Sequence, residues 1–300
     1  MTKHSIHNPF NARDYSDDSD SALIQSILQG QRSALKELIE KHQAYIFNVA
    51  LKMMNNVHDA EDVTQEVLIK VLSNLVKYDP AKARFRTWLY RITFNHILNL
   101  KKQPYEQAVS NFDFFFDFID STPVLRIEDD EEADYQAFIE ESKIACMSGM
   151  IMCLDRDQRL VYVLGELFEM DHRIASEMFN ITPANWRKKL SRARKDLYQW
   201  MHNRCGLVNT DNPCRCPKKT KGFIQRGVVK ADSLKWNADY KSRIYEHSKN
   251  TADVILNERD RLYRELFQEH PFKTHRKPDD LLSIILSNRI ISDNLDLRHE

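Results

Sequence analysis

Residues 59–72 read DAEDVTQEVLIKVL, and residues 85–102 read FRTWLYRITFNHILNLKK. In the first stretch Ala60, Val63, Val67 and Val71 recur at steps of three and four, and Leu68, Leu72 and Leu75 widen the stripe. That spacing predicts an amphipathic helix from about Asp59 to Lys77. Its polar face opens with Asp59, Glu61, Asp62, Gln65 and Glu66. Acids in a first helical turn suit the helix dipole, so the pattern reads equally as capping or as a docking surface. Asp79-Pro80 breaks the period. A short basic loop, Ala81 to Arg84, then leads into the second stretch, where Thr87 is positioned to cap a helix running to about Lys102. Here Phe85, Trp88, Tyr90 and Phe94 alternate with Arg84, Arg86 and Arg91. Rings stack on unpaired bases at about 1–3 kcal/mol each while guanidinium groups take phosphates, a pattern suited to single-stranded nucleic acid. The competing reading places Trp88 or Leu89 in the core.

Upstream, Leu23, Ile24, Ile27 and Leu28 form a short stripe stopped by Gly30. Leu35, Leu38, Ile39, Ile46, Val49, Ala50 and Met53 continue as one amphipathic helix ending near Asn55-Asn56. Downstream of Pro104 the character changes. From Asp113 to Glu141 there are eleven Asp/Glu against Arg126 alone, and the run from Phe112 to Phe118 shows no clear period. That predicts an acidic linker, with a helix only from about Asp130 to Met152. From Pro183 to Lys230 there are thirteen Lys/Arg against Asp196 and Asp211. Formal net charge is zero, so the uneven placement says more than the sum.

A second helical block covers residues 151–203. Asp155-Arg-Asp-Gln158 has the form of a capping box, followed by the apolar run Leu160, Val161, Leu164, Leu167 and Phe168. Asp171 caps a short helix whose left-handed end suits Asn180. Thr182 caps the next, with Pro183 at its first position. In that helix Trp186, Leu190, Ala193, Leu197 and Trp200 share one face, and basic and polar residues fill the other. Helix, tight turn and basic second helix make a helix-turn-helix. Base contacts fall to its N-terminal part, Asn185, Arg187, Lys188 and Ser191, and phosphate contacts to Arg192, Arg194 and Lys195.

Together these stretches resemble the sigma-70 family of RNA polymerase sigma factors, of extracytoplasmic-function (ECF) type. Residues 59–72 and the F-x-T-W-L-x-x-I-x-x-N order from Phe85 to Asn95 are similar to the family's second conserved region. Residues 154–167 (LDRDQRLVYVLGEL) and 173–197 (RIASEMFNITPANWRKKLSRARKDL) are similar to its fourth. The resemblance implies that Asp59, Glu61, Asp62, Gln65 and Glu66 dock on the clamp of the polymerase's largest subunit. It implies that Lys82, Arg84, Phe85, Arg86, Thr87, Trp88, Arg91 and Asn95 read and melt the minus-ten element. It implies that the basic helix reads the minus-thirty-five element and that the linker threads toward the RNA exit path. The string ANWRKKL departs from the commoner pattern in the recognition helix, which bears on promoter sequence and not on fold.

The expected architecture is all-α: a disordered N-terminus (1–19), a region 2-like bundle (20–103), an acidic linker (104–150), a region 4-like helix-turn-helix (151–203) and a helical extension (204–300). In the extension His202, Cys205, Cys214 and Cys216 lie close in sequence and are candidate ligands for zinc or another thiophilic ion; free thiols in a basic loop, or a redox pair, are the other readings. Some family members sense metals through Cys-bearing extensions, which implies control within the chain or by a separate anti-sigma factor. Apolar stripes from Trp236 to Phe267 and from Leu281 to Leu286 predict further helices. No apolar run reaches about 18 residues, so no membrane span is expected. Five scattered Cys are not a disulfide framework, and a cytoplasmic setting is expected. No cofactor is required by this reading. With neither a phosphate-binding Gly loop nor a nucleophile motif, the sequence offers nothing for an enzyme. The alternative function is a plain helix-turn-helix regulator with a metal- or redox-sensing tail, which needs no acidic docking helix.

Overall fold

The computed structural model describes residues 10, 17–102, 106, 107, 109, 111–125, 132–230, 232–235 and 278–295. The expected helices from Trp236 to Phe267, the acidic run Glu128 to Glu131 and nearly all of the N-terminus lie outside them. The described residues form twelve α-helices and no strand. They divide into two compact units: residues 1–102, 156–190 and 272–300 make one, and residues 103–155 and 191–271 the other.

The first unit is built on α1 (Asp17–Leu28), α2 (Arg32–Met54), α3 (Val57–Ser73) and α4 (Phe85–Asn99). α2 ends at Asn55 in the left-handed region (φ 52°), where Asn is among the few residues that fit. Asn56 then starts α3, its side-chain oxygen accepting from the backbone N–H of His58 at 2.9 Å. The predicted core stripe Ala60, Val63, Val67, Leu68, Val71 and Leu72 is buried. α3 stops at Ser73, and a 3-10 turn (Leu75–Lys77) takes the rest of the predicted helix. A buried carboxylate ties α1 to α2: Asp20 is fully buried, bonded to Lys41 Nζ and 3.4 Å from His42 Nε2. Burial pushes the Asp20 carboxyl up, but the His42 and Lys41 contacts outweigh it and hold it below its ordinary value.

The same unit includes α7 (Arg156–Tyr162), a π-helical turn (Val163–Leu167), α8 (His172–Phe179) and the start of α9 (Pro183–Arg204). Two arginines of α7 cap older helices in the unit. Arg159 Nη1 donates to the Met53 carbonyl at 2.9 Å, at the end of α2. Arg156 donates to the Leu100 carbonyl, just past α4. Both put a guanidinium where a helix C-terminus leaves unpaired carbonyls and partial negative charge. Finally α11 (Pro278–Leu286) packs on α2 and α3, burying Leu281 and Ile285, and α12 (Arg289–Asn294) packs on α3.

The second unit corrects the expected linker. Residues 112–120 form a helix, α5 (Phe112–Asp120), which the sequence reading left as an aperiodic acidic segment. Phe112, Phe115, Phe116 and Ile119 are its buried residues, spaced three, one and three, and Asp113 and Asp117 occupy the other side. The helical period was present but masked by Phe114 and Phe118 between. Asn111 caps α5 by accepting from Phe114 N–H at 2.8 Å. Phe112 stacks on Trp200 with centroids 5.6 Å apart and planes 7° from parallel. α6 (Glu132–Met152) lies alongside, so close that a Cβ added to Gly149 would stand 2.3 Å from the Phe115 ring. The stretch after Cys214, in the extension expected to be helical, forms α10 (Cys216–Gln225), with Pro217 in its first turn. Buried Lys219 donates to the carbonyls of Ile119, Asp120 and Thr122 at 2.6–3.0 Å, capping the end of α5.

Candidate nucleic-acid and polymerase interface

On α3 the five polar candidates separate by exposure. Asp62 and Glu66 are exposed, one turn apart, whereas Asp59, Glu61 and Gln65 are half-buried. Glu66 Oε2 lies 3.0 Å from His96 Nε2 of α4. The acids therefore serve both local structure and an outward charged stripe. α11 and α12 pack on this same helix.

The loop and α4 behave differently from expectation. α4 begins at Phe85 with Arg84 at its N-cap, so Thr87 is not the cap; it is buried in the first turn. Phe85, Arg86 and Thr87 are all buried, and Tyr90 and Phe94 are core residues with Leu89. Lys82, Arg84 and Asn95 are exposed, Trp88 and Arg91 half-buried. Trp88 leans on Tyr78, ring centroids 5.3 Å apart, and keeps part of its face open. Arg86 lies 5.8 Å from the Phe10 ring. Burial thus removes Phe85, Arg86 and Thr87 from direct contact with a nucleic acid in this arrangement, and leaves Lys82, Arg84, Trp88 and Asn95 facing outward.

Phe85 packs against His42 and Tyr78, and α8 covers Thr87 and the next turns of α4. Arg91 Nη2 donates to the Glu177 carbonyl at 2.6 Å and its Nε to the Met178 carbonyl at 3.3 Å, capping the end of α8. Thr87 Oγ1 donates to Glu177 Oε1 at 3.3 Å. Phe94 stacks on Phe179 with centroids 5.6 Å apart and planes 8° from parallel. One helix of the helix-turn-helix therefore occupies part of the α4 face that sequence reasoning assigned to DNA.

The turn itself forms as the sequence predicts. Asp171 accepts from Arg173 N–H at 2.8 Å. Asn180 adopts the left-handed conformation (φ 51°). Thr182 Oγ1 accepts from Asn185 N–H at 3.2 Å. Trp186 is buried against Phe179, with Leu190, Ala193 and Leu197 buried beyond it, while Trp200 is only half-buried. Asn185, Arg187, Lys188, Ser191, Arg192 and Lys195 are exposed, and Arg194 is half-buried. Lys189, beside them, pairs with Asp157 of α7. This surface is a row of cationic and amide donors on a rigid helix, the chemistry that reads base edges and phosphates in a groove.

The metal candidates are rearranged. His202 is half-buried and does not line the cavity that gathers the cysteines; its carbonyl accepts from the Asn209 and Asn212 side chains. Cys205, Cys214 and Cys216 do come together, joined by Cys146 of α6, which lies 59 residues before Cys205 and which sequence spacing set apart. Sequence reasoning also missed Arg156, Arg159 and Lys219. Their partners are carbonyls at the ends of distant helices, and no local pattern marks them.

A helical bundle with an outward acidic stripe, followed by a capped helix-turn-helix, defines a two-part promoter-binding protein. Sequence comparison agrees: residues 38–103 match the Sigma-70 region 2 model and residues 144–197 the Sigma-70 region 4 model. The ECF RNA polymerase sigma factor SigW of Bacillus subtilis is 26% identical over 181 residues, 58% of this chain and 92% of SigW. The RNA polymerase sigma-H factor of Pseudomonas aeruginosa is 24% identical over 184 residues, 60% of this chain and 92% of the relative. The two matched stretches thus carry the marks of Sigma-70 regions 2 and 4, and over 58–60% of its length the chain is similar to RNA polymerase sigma factors. Among the described residues no helix is long and apolar enough to cross a membrane.

Proposed function

We propose that the chain binds RNA polymerase core and directs it to promoters, where it opens DNA and starts transcription without catalysing a reaction itself. The observation that carries this reading is the pairing, in one chain, of two surfaces a plain DNA-binding regulator does not need together. One is the exposed Asp62–Glu66 stripe beside an Arg84–Trp88 turn; the other is the solvent-facing basic side of α9. The acidic stripe docks on the clamp of the polymerase's largest subunit. Strand opening costs about 1.4 kcal/mol per base-pair step, and with no ATP-driven motor the protein supplies it by binding the unstacked strand through Trp88 and nearby cations.

Two contacts bear on control. α8 covers part of α4, so minus-ten engagement requires that contact to open. α11 and α12 pack against the helix that carries the docking stripe, which supports autoregulation by the C-terminal extension in addition to any anti-sigma factor. The deciding experiment is transcription in vitro with purified core polymerase. Co-elution with core and initiation from a cognate promoter are expected; absence of both ends the reading. Reversing charge at Asp62 and Glu66 together is expected to weaken core binding at least about 100-fold, or about 2.7 kcal/mol, with helicity unchanged. Undocking α11 with Leu281→Asp and Ile285→Asp is expected to tighten core binding; unchanged affinity would remove autoregulation from the proposal.

A further inference from the structure

In the second unit, four sulfurs from three chain segments converge on one small cavity. Cys146 comes from the middle of α6, Cys205 from the residue after α9, Cys214 from the following loop and Cys216 from the start of α10. The cavity has a volume of about 20 Å³, space for a single small occupant. Its remaining walls are mostly apolar, with Ile119, Met147, Met150, Met201 and Phe223 among them. Two cations, Lys143 and Lys219, complete the lining. The Cys205 carbonyl accepts from the backbone N–H of Asn209 at 3.1 Å, which fixes the chain just after α9.

We propose that Cys146, Cys205, Cys214 and Cys216 form a four-thiolate site for a thiophilic divalent cation of the zinc class. The chemistry fits on three counts. Four sulfur donors satisfy a tetrahedral ion with bonds of about 2.3 Å. Soft thiolates select zinc-class ions over magnesium or calcium. An ion held by four thiolates carries a net charge of minus two, and Lys143 and Lys219 stand at the cavity to offset it. Among the described residues no group of three or more His, Cys, Asp or Glu side chains stands close enough to hold a metal ion as it is, so binding has to draw the four sulfurs together. Metal binding is then coupled to proton release and to a small contraction of the surrounding loops. The site differs from the His202, Cys205, Cys214 and Cys216 set suggested by sequence proximity. It joins α6, α9 and α10, and so acts as a staple of the second unit. It stands independently of the promoter reading above.

The test uses the full chain purified under reducing conditions. Metal analysis after zinc addition and desalting is expected to give one zinc per chain. Cobalt(II) in its place is expected to give tetrahedral visible bands and a sulfur-to-cobalt charge-transfer band of four-sulfur intensity. Cys146→Ser, Cys205→Ser, Cys214→Ser and Cys216→Ser each lower zinc affinity at least tenfold, whereas Cys153→Ser and His202→Ala bind as the parent does. Should a serine variant fail to fold by circular dichroism, thiol counting on the parent decides: zinc leaves only Cys153 open to a thiol reagent, and chelation exposes the others. Substoichiometric zinc, a cobalt spectrum of fewer sulfurs, loss of binding in His202→Ala, or thiol reactivity unchanged by zinc would each overturn the proposal.

Discussion

α4 and α9 are the two helices of this protein that sequence marks for DNA, and their surroundings are opposite. α9 turns its polar side to solvent along its length, from Asn185 to Lys195, over a buried seam of Trp186, Leu190, Ala193 and Leu197. α4 buries Phe85, Arg86 and Thr87 and spends Arg91 on the carbonyls of α8. The difference lies in amphipathicity. On α9 apolar residues keep to one face, so the basic face has no reason to be covered. On α4 the polar Arg86, Thr87 and Thr93 share the buried face with Phe85, Leu89, Tyr90 and Phe94, and that face needs cover. α1, α2, α3 and α8 each supply some of it. A duplex-reading surface can stay exposed and rigid. A surface that must hold unstacked bases is apolar by its task and is better kept covered until it is used.

The largest test of that contrast is at Asp20, which holds α1 in place beside α2 and α4. Asp20→Ala leaves Lys41 and His42 without their buried partner and is expected to cost about 3 kcal/mol in chemical denaturation, loosening the cover of α4 and not α9. The pH dependence has a definite sign. Because the folded Asp20 carboxyl lies below its ordinary 3.8, its contribution is fully present above that value and is lost as pH falls through the lowered one. Acid unfolding monitored by Trp fluorescence should therefore lose its lowest-pH component in Asp20→Ala. Next in size is Phe179→Ala, which removes the stack on Phe94 and the contact with Trp186. About 2 kcal/mol of stability is expected to go, while affinity for a single-stranded minus-ten oligonucleotide rises. If that affinity falls instead, α8 is not a cover. On α9 the effects are smaller and separable. Arg187→Ala should lose about 1 kcal/mol of discrimination between cognate and altered minus-thirty-five duplexes. Lys195→Ala should weaken all duplexes alike and lower the salt dependence of binding by about one unit of slope, as fluorescence anisotropy across a salt series would register.

The features legible in the sequence were those governed by residues close together along the chain. Asn180 in a left-handed cap, Thr182 bonding three residues on and Pro183 opening α9 are local events, and their chemistry determines them wherever the helix lies. The stripe of α3 and the seam of α9 were equally legible, because a period of 3.6 records which face meets an apolar neighbour. α5 shows the limit: with Phe on nearly every side, period yields to composition, and only packing against α6 and Trp200 reveals which rings are inside. Thr87 shows another, since a residue suited to a cap became a buried first-turn residue once the helix started three positions earlier.

By itself, then, the sequence determined the strongly periodic helices, the turn chemistry of the helix-turn-helix and the two regions marked for DNA, all set by short-range propensity and periodicity. Only the tertiary structure decided that Arg156, Arg159 and Lys219 close the ends of distant helices, that α8 covers the aromatic side of α4, and that Cys146 joins Cys205, Cys214 and Cys216 around one cavity. Each of these depends on which surfaces meet when apolar area leaves water, and that choice is made by the whole chain at once.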